Sequence, residues 1–130
     1  MAKYICPEAL DGGPSYIQAN CNLLAVVMAF TVGQSYDAVM GAGNVLATAA
    51  MAPGDFSFAN GGVANERVMN NASKGATASG TGTPTHFVFV NTGTSKILRV
   101  TEENTGAAVT TGNSVTLPNL PLTSRQPVAV

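Results

Sequence analysis

With 130 residues and a mass of 13.2 kDa, the chain has the length of one domain and can bury a hydrophobic core without disulfide staples. Only 10% of its residues are charged, against about 25% in an ordinary globular protein. Its surface therefore carries few charges to keep copies apart. The net charge is −1 and the basic residues are scattered, which excludes the basic stripe that a nucleic-acid-binding protein needs.

The first 20 residues predict an extended N-terminal arm. Pro7, Gly12, Gly13 and Pro14 interrupt regular structure. The start lacks the apolar run of a signal peptide, so we expect a protein made in a cytoplasm. Apolar and aromatic side chains recur along the arm, which a solvated tail would not need. The side chains expected to contact a partner are Tyr4, Ile5, Tyr16 and Ile17.

The middle of the chain predicts one buried strand and one helix. Residues 21–32 are apolar on both faces, which favours a fully buried strand, although a buried helix has the same pattern. This stretch is too short to span a membrane, which takes about 20 apolar residues. Residues 35–50 have helical spacing of apolar side chains, with Ser35 as the cap. Gly41 and Gly43 weaken that helix by about 1 kcal/mol each relative to alanine.

From residue 55 onward the sequence predicts short strands separated by glycine and asparagine turns. The strands are expected at 55–59, 67–72, 76–79, 86–90, 96–102, 107–110 and 114–117. Spacing of this kind, with abundant β-branched threonine and valine, is typical of an antiparallel sandwich or barrel. The predicted fold class is therefore mainly β: a small antiparallel β-sandwich or barrel with one short helix and extended arms at both ends.

Residues 119–130 predict a Pro-rich C-terminal arm. Pro118, Pro121 and Pro127 exclude a central strand, because proline has no N–H to donate to a ladder. The β domain is thus expected over residues 21–118, between the two arms. The apolar side chains of this end that are expected to contact a partner are Leu117, Leu120, Leu122 and Val128.

No set of residues in the sequence predicts catalysis, a metal site or a cofactor. His86 is the only histidine and is interpreted as structural. Glu102 and Glu103 are the only carboxylate pair, and neighbouring residues of a strand point to opposite faces. Cys6 and Cys21 are expected as reduced thiols, with a bridge between them as the alternative. We therefore expect a protein that is not an enzyme and binds no cofactor, nucleic acid or membrane.

Several segments between residues 55 and 118 resemble small structural proteins of tailed bacteriophages. The stretches that carry the resemblance are DFSFANG at 55–61, ERV at 66–68, GTPTHF at 82–87, LRVT at 98–101 and TGNSVTLP at 111–118. They are strand-and-turn signatures, so they encode fold more than function. Such proteins are often head decoration (cement) proteins, and similar ones serve at the neck, tail or fibre.

The resemblance implies a non-enzymatic virion structural protein. We expect a bacteriophage capsid decoration protein on the capsid surface, which binds and stabilises the shell of major capsid protein. The first alternative is another virion component, such as a neck, tail or head-fibre protein, and the second is an extracellular binding or adhesion module. The shortage of charge and the apolar arms also predict self-association, with a homotrimer expected because capsid lattices offer three-fold sites.

Overall fold

The computed structural model describes residues 12–62, 66–103 and 107–125. Within these ranges, two short helices, α1 (Gly12–Asn20) and α2 (Tyr36–Val39), and a 3-10 turn at Pro53–Asp55 accompany the strands. The strands of the described residues are β1 Leu23–Val27, β2 Val45–Ala50, β3 Phe56–Asn60, β4 Glu66–Asn71, β5 Lys74–Thr77, β6 His86–Asn91, β7 Lys96–Glu102, β8 Ser114–Leu117 and β9 Leu122–Arg125.

The strands form three antiparallel sheets. Sheet A has the order β2-β1-β6-β7, sheet B the order β3-β4-β9, and sheet C pairs β5 with β8. The fold is therefore mainly β, as predicted, and is consistent with a small sandwich and not with a closed barrel.

The main hydrophobic core joins all three sheets to α1. Alternate residues of β1 point to opposite faces, so Leu24 enters this core while Ala25 enters a second cluster on the other side of sheet A. The largest fully buried members of the main core are Leu24, Val26, Leu46, Met69, Phe89 and Leu117. The second cluster contains Val88 and Val90 of β6 and is joined by Val39 of α2. Burial on both faces explains why β1 is apolar throughout.

Most predicted strands lie within one or two residues of the observed ones. The expected spans 96–102 and 114–117 coincide with β7 and β8. The expected strand at 107–110 is wrong. Val109 forms only an isolated bridge with Gly82, using both of its backbone groups at 2.7 and 2.9 Å, and no neighbouring pair extends it into a ladder.

The predicted helix at 35–50 is also largely wrong. Ser35 does cap a helix, since its Oγ accepts from the Ala38 N–H at 3.2 Å, but α2 ends after one turn at Val39. Residues 45–50 form β2, which pairs with β1 from Val45 to Ala50. Pairing to the edge of β1 overrides the helical spacing, which two glycines had already weakened.

The predicted strand at 21–32 is shorter than expected. β1 ends at Val27, and the N–H of Met28 donates to the Asn44 carbonyl at 2.9 Å. The chain then turns through residues 31–34, where Gly33 has a φ of +94°. Glycine is favoured at position 33 because residues that have a Cβ rarely adopt such a positive φ.

The segments expected as extended arms differ from that prediction where they are described. Residues 12–20 are helical, and Ile17 packs in the main core. Residues 122–125 form β9, an edge strand on β4, which agrees with the exclusion of a central strand. Residues 1–11 and 126–130 of the predicted arms lie outside the described residues.

Candidate interaction surface

The eight side chains predicted to contact a partner fall into three groups. Outside the described residues lie Tyr4, Ile5 and Val128. Ile17 and Leu117 are 9% and 0% exposed in the main core, so the prediction that they contact a partner is wrong, because their apolar area is already buried by the fold. Leu120 and Leu122 are half-buried against the same core, and Tyr16 is 50% exposed.

Tyr16 is the predicted contact residue that the structure places on the surface. Its hydroxyl accepts a hydrogen bond from Lys96 Nζ at 3.1 Å, and the same ammonium lies 5.2 Å from the ring centroid. These contacts tie α1 to β7. Because both side chains are exposed, the attraction is modest.

The C-terminal segment is held by a buried amide that the sequence analysis did not single out. Asn71 Oδ1 accepts from the Leu120 N–H at 2.7 Å, and Asn71 Nδ2 donates to the Pro118 carbonyl at 3.0 Å. Asn119 returns the contact, since its Oδ1 accepts from the Asn71 N–H at 2.9 Å. Asn71 is buried, so each of these bonds replaces a contact with water that the fold removes.

Arg99 holds the same segment from sheet A. Its Nη1 donates to the Leu120 carbonyl at 2.7 Å and its Nη2 to the Pro121 carbonyl at 3.1 Å. The guanidinium also lies 5.2 Å from the ring centroid of Phe89. Burial lowers the pKa of Arg99, although an arginine remains charged at neutral pH. Residues 118–121 are thus held between β4 of sheet B and β7 of sheet A.

Gln18, near the C-terminal end of α1, and Arg125, the last described residue, lie at opposite ends of sheet B. Gln18 of α1 donates through Nε2 to the Phe56 carbonyl at 3.3 Å. Phe56 pairs across the β3–β4 ladder with Asn71, the last residue of β4. Arg125, the last described residue, is level with Glu66, the first residue of β4. The six residues of β4 span roughly 17–20 Å.

A groove of about 330 Å³ lies beside β8. Its apolar lining consists of Val26, Pro84, Phe87, Val109, Val115 and Pro118. The exposed residues Thr110, Ser114 and Thr116 and the half-buried Glu103 also border it. An apolar wall with a mostly uncharged border suits an apolar side chain better than a charged ligand.

A projecting turn bears the most exposed large apolar side chain of the described residues. This turn, here called the Val32 turn, comprises residues 31–34, and Val32 is 91% exposed. The Gln34 N–H donates to the Thr31 carbonyl at 3.0 Å, and Gln34 Oε1 accepts from the Thr31 N–H at 2.6 Å. Two hydrogen bonds and the glycine at position 33 therefore fix the shape of the turn.

The base of the Val32 turn is also fixed. The Asn44 side chain bonds both backbone groups of Ala29, at 3.0 and 2.9 Å, and donates to the Val39 carbonyl at 2.8 Å. Thr85 Oγ1 donates to the Met28 carbonyl at 2.8 Å. Thr85 directly follows Pro84, which lines the groove, so the base of the turn and the groove are joined through adjacent residues.

His86 has structural contacts. Its Nδ1 lies 2.8 Å from Thr85 Oγ1, and its ring is 5.7 Å from the ring of Phe30 at an angle of 60°. Its neighbour across the ladder to β7 is Glu102. Within residues 12–62, 66–103 and 107–125, no three histidine, cysteine, aspartate or glutamate side chains group as metal ligands would.

Cys21 is a free, buried thiol. Cys6, its partner in the alternative bridge, lies outside the described residues. Burial raises the pKa of Cys21, which keeps the thiol protonated and unreactive. Its Sγ donates to the Leu23 carbonyl at 3.5 Å. None of the helices in the described part of the chain has the length and apolar character to cross a membrane.

No family model, curated protein or solved structure matches the chain. The resemblance to structural proteins of tailed bacteriophages therefore rests on the strand-and-turn segments alone. Those segments fall on β3, β4, β6, β7 and β8, which are framework strands of the sandwich.

Proposed function

We propose that the protein is a non-enzymatic virion structural protein, a bacteriophage capsid decoration protein that binds and stabilises the shell of major capsid protein. The observation that carries the proposal is that Gln18 of α1 and Arg125 of β9 are held at opposite ends of sheet B. Terminal segments that carry apolar side chains and continue from the two sides of a charge-poor core are suited to contacting two neighbouring shell subunits.

The lengths of the terminal segments support this role. Residues 1–11 contain Tyr4 and Ile5 and can reach about 40 Å when fully extended. Residues 126–130 contain Val128 and can reach about 17 Å. Each segment adds to the roughly 17–20 Å that separates the anchors, so one copy can bridge between subunits.

The anchors also suit a protein that resists tension. A pull on the C-terminal segment is transmitted through β9 to the backbone of residues 118–121. There Asn71 and Arg99 hold the chain from two different sheets. Such a load would have to break several hydrogen bonds, most of them partly buried, before it reached the core, which is useful in a part that stabilises a shell against internal pressure.

The proposal is tested by adding the purified protein to undecorated shells. The variants are Tyr4→Asp, Val128→Asp and the double variant, with Thr94→Asp in the exposed β6–β7 turn as the matched control. Each arm variant is expected to weaken binding about tenfold or more, because burial of one large apolar side chain contributes about 1.5–3 kcal/mol. The control should bind as the wild type does.

Copies per particle separate the proposal from its nearest alternative. A decoration protein is present in hundreds of copies, whereas a neck, tail or fibre part is present in few. Wild-type protein that fails to bind shells, or a double variant that binds them with unchanged affinity, would refute the proposal as stated.

A further inference from the structure

We propose that copies of this protein contact one another by placing the Val32 turn of one copy in the groove beside β8 of the next. The inference rests on the proposed function for its setting, the crowded surface of a shell, and adds a contact between neighbouring copies. It uses only residues whose positions the structure describes.

The Val32 turn has the properties of a preformed contact. A single exposed valine is ordinary on a protein surface. This one stands at the tip of a turn fixed by two hydrogen bonds, on a base that Asn44 and Thr85 hold to the neighbouring segments. A rigid apolar tip loses little conformational entropy on binding, so little of the free energy gained by burying Val32 is offset.

The groove offers a matching surface. Val115, Val109 and Phe87 give it an apolar wall, and a volume of about 330 Å³ is large enough for the side chain of a valine with adjacent backbone. Residues 28–35, which form the turn and its base, carry no charge. No like charges would therefore meet when the turn enters the groove.

The contact joins two different surfaces of the protein, so neighbouring copies would be related head to tail. Thr85 joins the two surfaces, because its side chain bonds Met28 at the base of the turn and it directly follows Pro84 in the groove. Copies arranged around a three-fold axis would each present a turn to one neighbour and a groove to the other, both near the axis. A head-to-tail contact forms a ring where the rotation between copies closes, and a ring of three copies is the trimer expected from the sequence.

Each contact is small, and its strength comes from repetition. One buried valine accounts for roughly tenfold to hundredfold in affinity, whereas a stable pair of proteins buries about 800 Å² on each partner. The association is therefore expected to be weak and reversible in solution. On a shell, attachment through the arms holds the copies close together and raises the effective concentration of each turn near its groove.

Two variants test the contact by complementation in sedimentation experiments on the full-length protein. Val32→Asp removes the apolar tip, with Thr94→Asp as its control. Thr116→Arg fills the groove, with Thr123→Arg on β9 as its control, since both threonines are exposed strand residues. Each test variant is expected to weaken self-association at least tenfold and each control to leave it unchanged. An equal mixture of Val32→Asp and Thr116→Arg should form pairs and no larger species, because one turn and one groove remain intact.

A cross-link gives an independent reading. In a Cys6→Ser background, Val32→Cys and Thr116→Cys proteins are mixed under mild oxidation, and a disulfide between the two different chains is expected, because its formation requires close approach of the two Cβ atoms. A mixture of Val32→Cys with Thr94→Cys should not cross-link above background. Preferential linkage of Val32→Cys to itself, or no linkage at all, would overturn the inference.

The same variants separate this inference from the proposed function. If Val32→Asp self-associates normally while the Tyr4 and Val128 variants lose shell binding, only the contact between copies is refuted. If Val32→Asp loses self-association while those arm variants bind shells normally, the contact stands and the proposed role of the arms fails. Loss of shell binding by Val32→Asp with unchanged self-association would place the turn on the shell and refute its role between copies.

Discussion

Asn71 is the buried polar side chain on which the C-terminal part of the fold depends. Replacing it by alanine leaves the Leu120 N–H and the Pro118 carbonyl without their partner. An unsatisfied buried polar group costs about 1–3 kcal/mol, so Asn71→Ala should lower the free energy of unfolding by roughly 2–4 kcal/mol. Urea denaturation measures this. Asn70→Ala, which removes an exposed acceptor for Asn119, should cost less than about 1 kcal/mol, and equal losses in both variants would contradict the role of Asn71.

The ion pair between Asp55 and Lys74 makes a small, pH-dependent contribution. Its atoms lie 2.9 Å apart, and the hydrogen bond from Lys74 is the main cause that lowers the pKa of Asp55 below 3.8. Because the folded pKa is depressed, the stabilisation is fully present above 3.8 and is lost as the pH falls through the folded pKa. Because solvent still reaches both half-buried side chains, the stabilisation amounts to at most about 1 kcal/mol.

Asp55→Asn is the variant that tests this pair. The stability difference between wild type and Asp55→Asn should stay constant from neutral pH down to about 5 and shrink below 3.8. Asparagine keeps an oxygen that can accept from the Ala52 N–H, so the 3-10 turn is preserved. A difference that instead grew on acidification would show that the ion pair is not its source.

His86 is expected to act in stability alone. Its ring contacts Phe30 and Thr85 on the outer side of sheet A. His86→Asn or His86→Gln should change stability by no more than a few kcal/mol, as ordinary single substitutions do. Loss of assembly in a variant whose thermal unfolding matches the wild type would contradict this interpretation.

At the scale of elements, β9 depends on two sheets. Arg99→Met keeps apolar contact with Phe89 but removes both hydrogen bonds to the carbonyls of Leu120 and Pro121. Amide hydrogens of Leu120 and of residues 122–125 should then exchange faster, by about tenfold or more, since each bond from a charged donor contributes about 1.5–3 kcal/mol. Amides of β1 and β6 in the centre of sheet A serve as the internal control, and their equal acceleration would indicate global destabilisation instead.

The element that departs most from its predicted form is β2. Residues 45–50 have alanines at helical spacing, but β1 needs a partner for its outer edge, and β2 supplies it. An unpaired buried edge would leave backbone groups without hydrogen bonds. The Asn44 side chain stabilises the connection from α2 to β2. It donates to the Val39 carbonyl at the end of α2 and bonds both backbone groups of Ala29 at the base of the Val32 turn.

For the whole molecule, we expect self-association as a trimer, with three times the mass of the 13.2 kDa chain. The reasons are the 10% charge content and the exposed apolar sites at Tyr16 and Val32. Analytical ultracentrifugation at micromolar concentration and above measures it. A single 13.2 kDa species at all concentrations would rule out self-association, while leaving the binding of shells to be judged by its own experiment.

The sequence by itself determined the class of fold and the position of most strands. Local signals suffice for this, because alternation in His86–Asn91 and turn residues such as Gly93 act over a few positions. Proline also excluded a central strand at the C-terminal end, where the structure has the edge strand β9 in place of the predicted extended arm.

Only the tertiary structure decided which apolar side chains are available to a partner. Ile17 and Leu117 look like Tyr16 and Leu122 in a list of apolar positions, yet the first two fill the core. The bonds of Asn71 to residues 118 and 120 join positions 47 and 49 apart in the chain, and the groove combines β1, β6 and β8. Burial and long-range pairing depend on how strands far apart in sequence come together, and no local pattern encodes that.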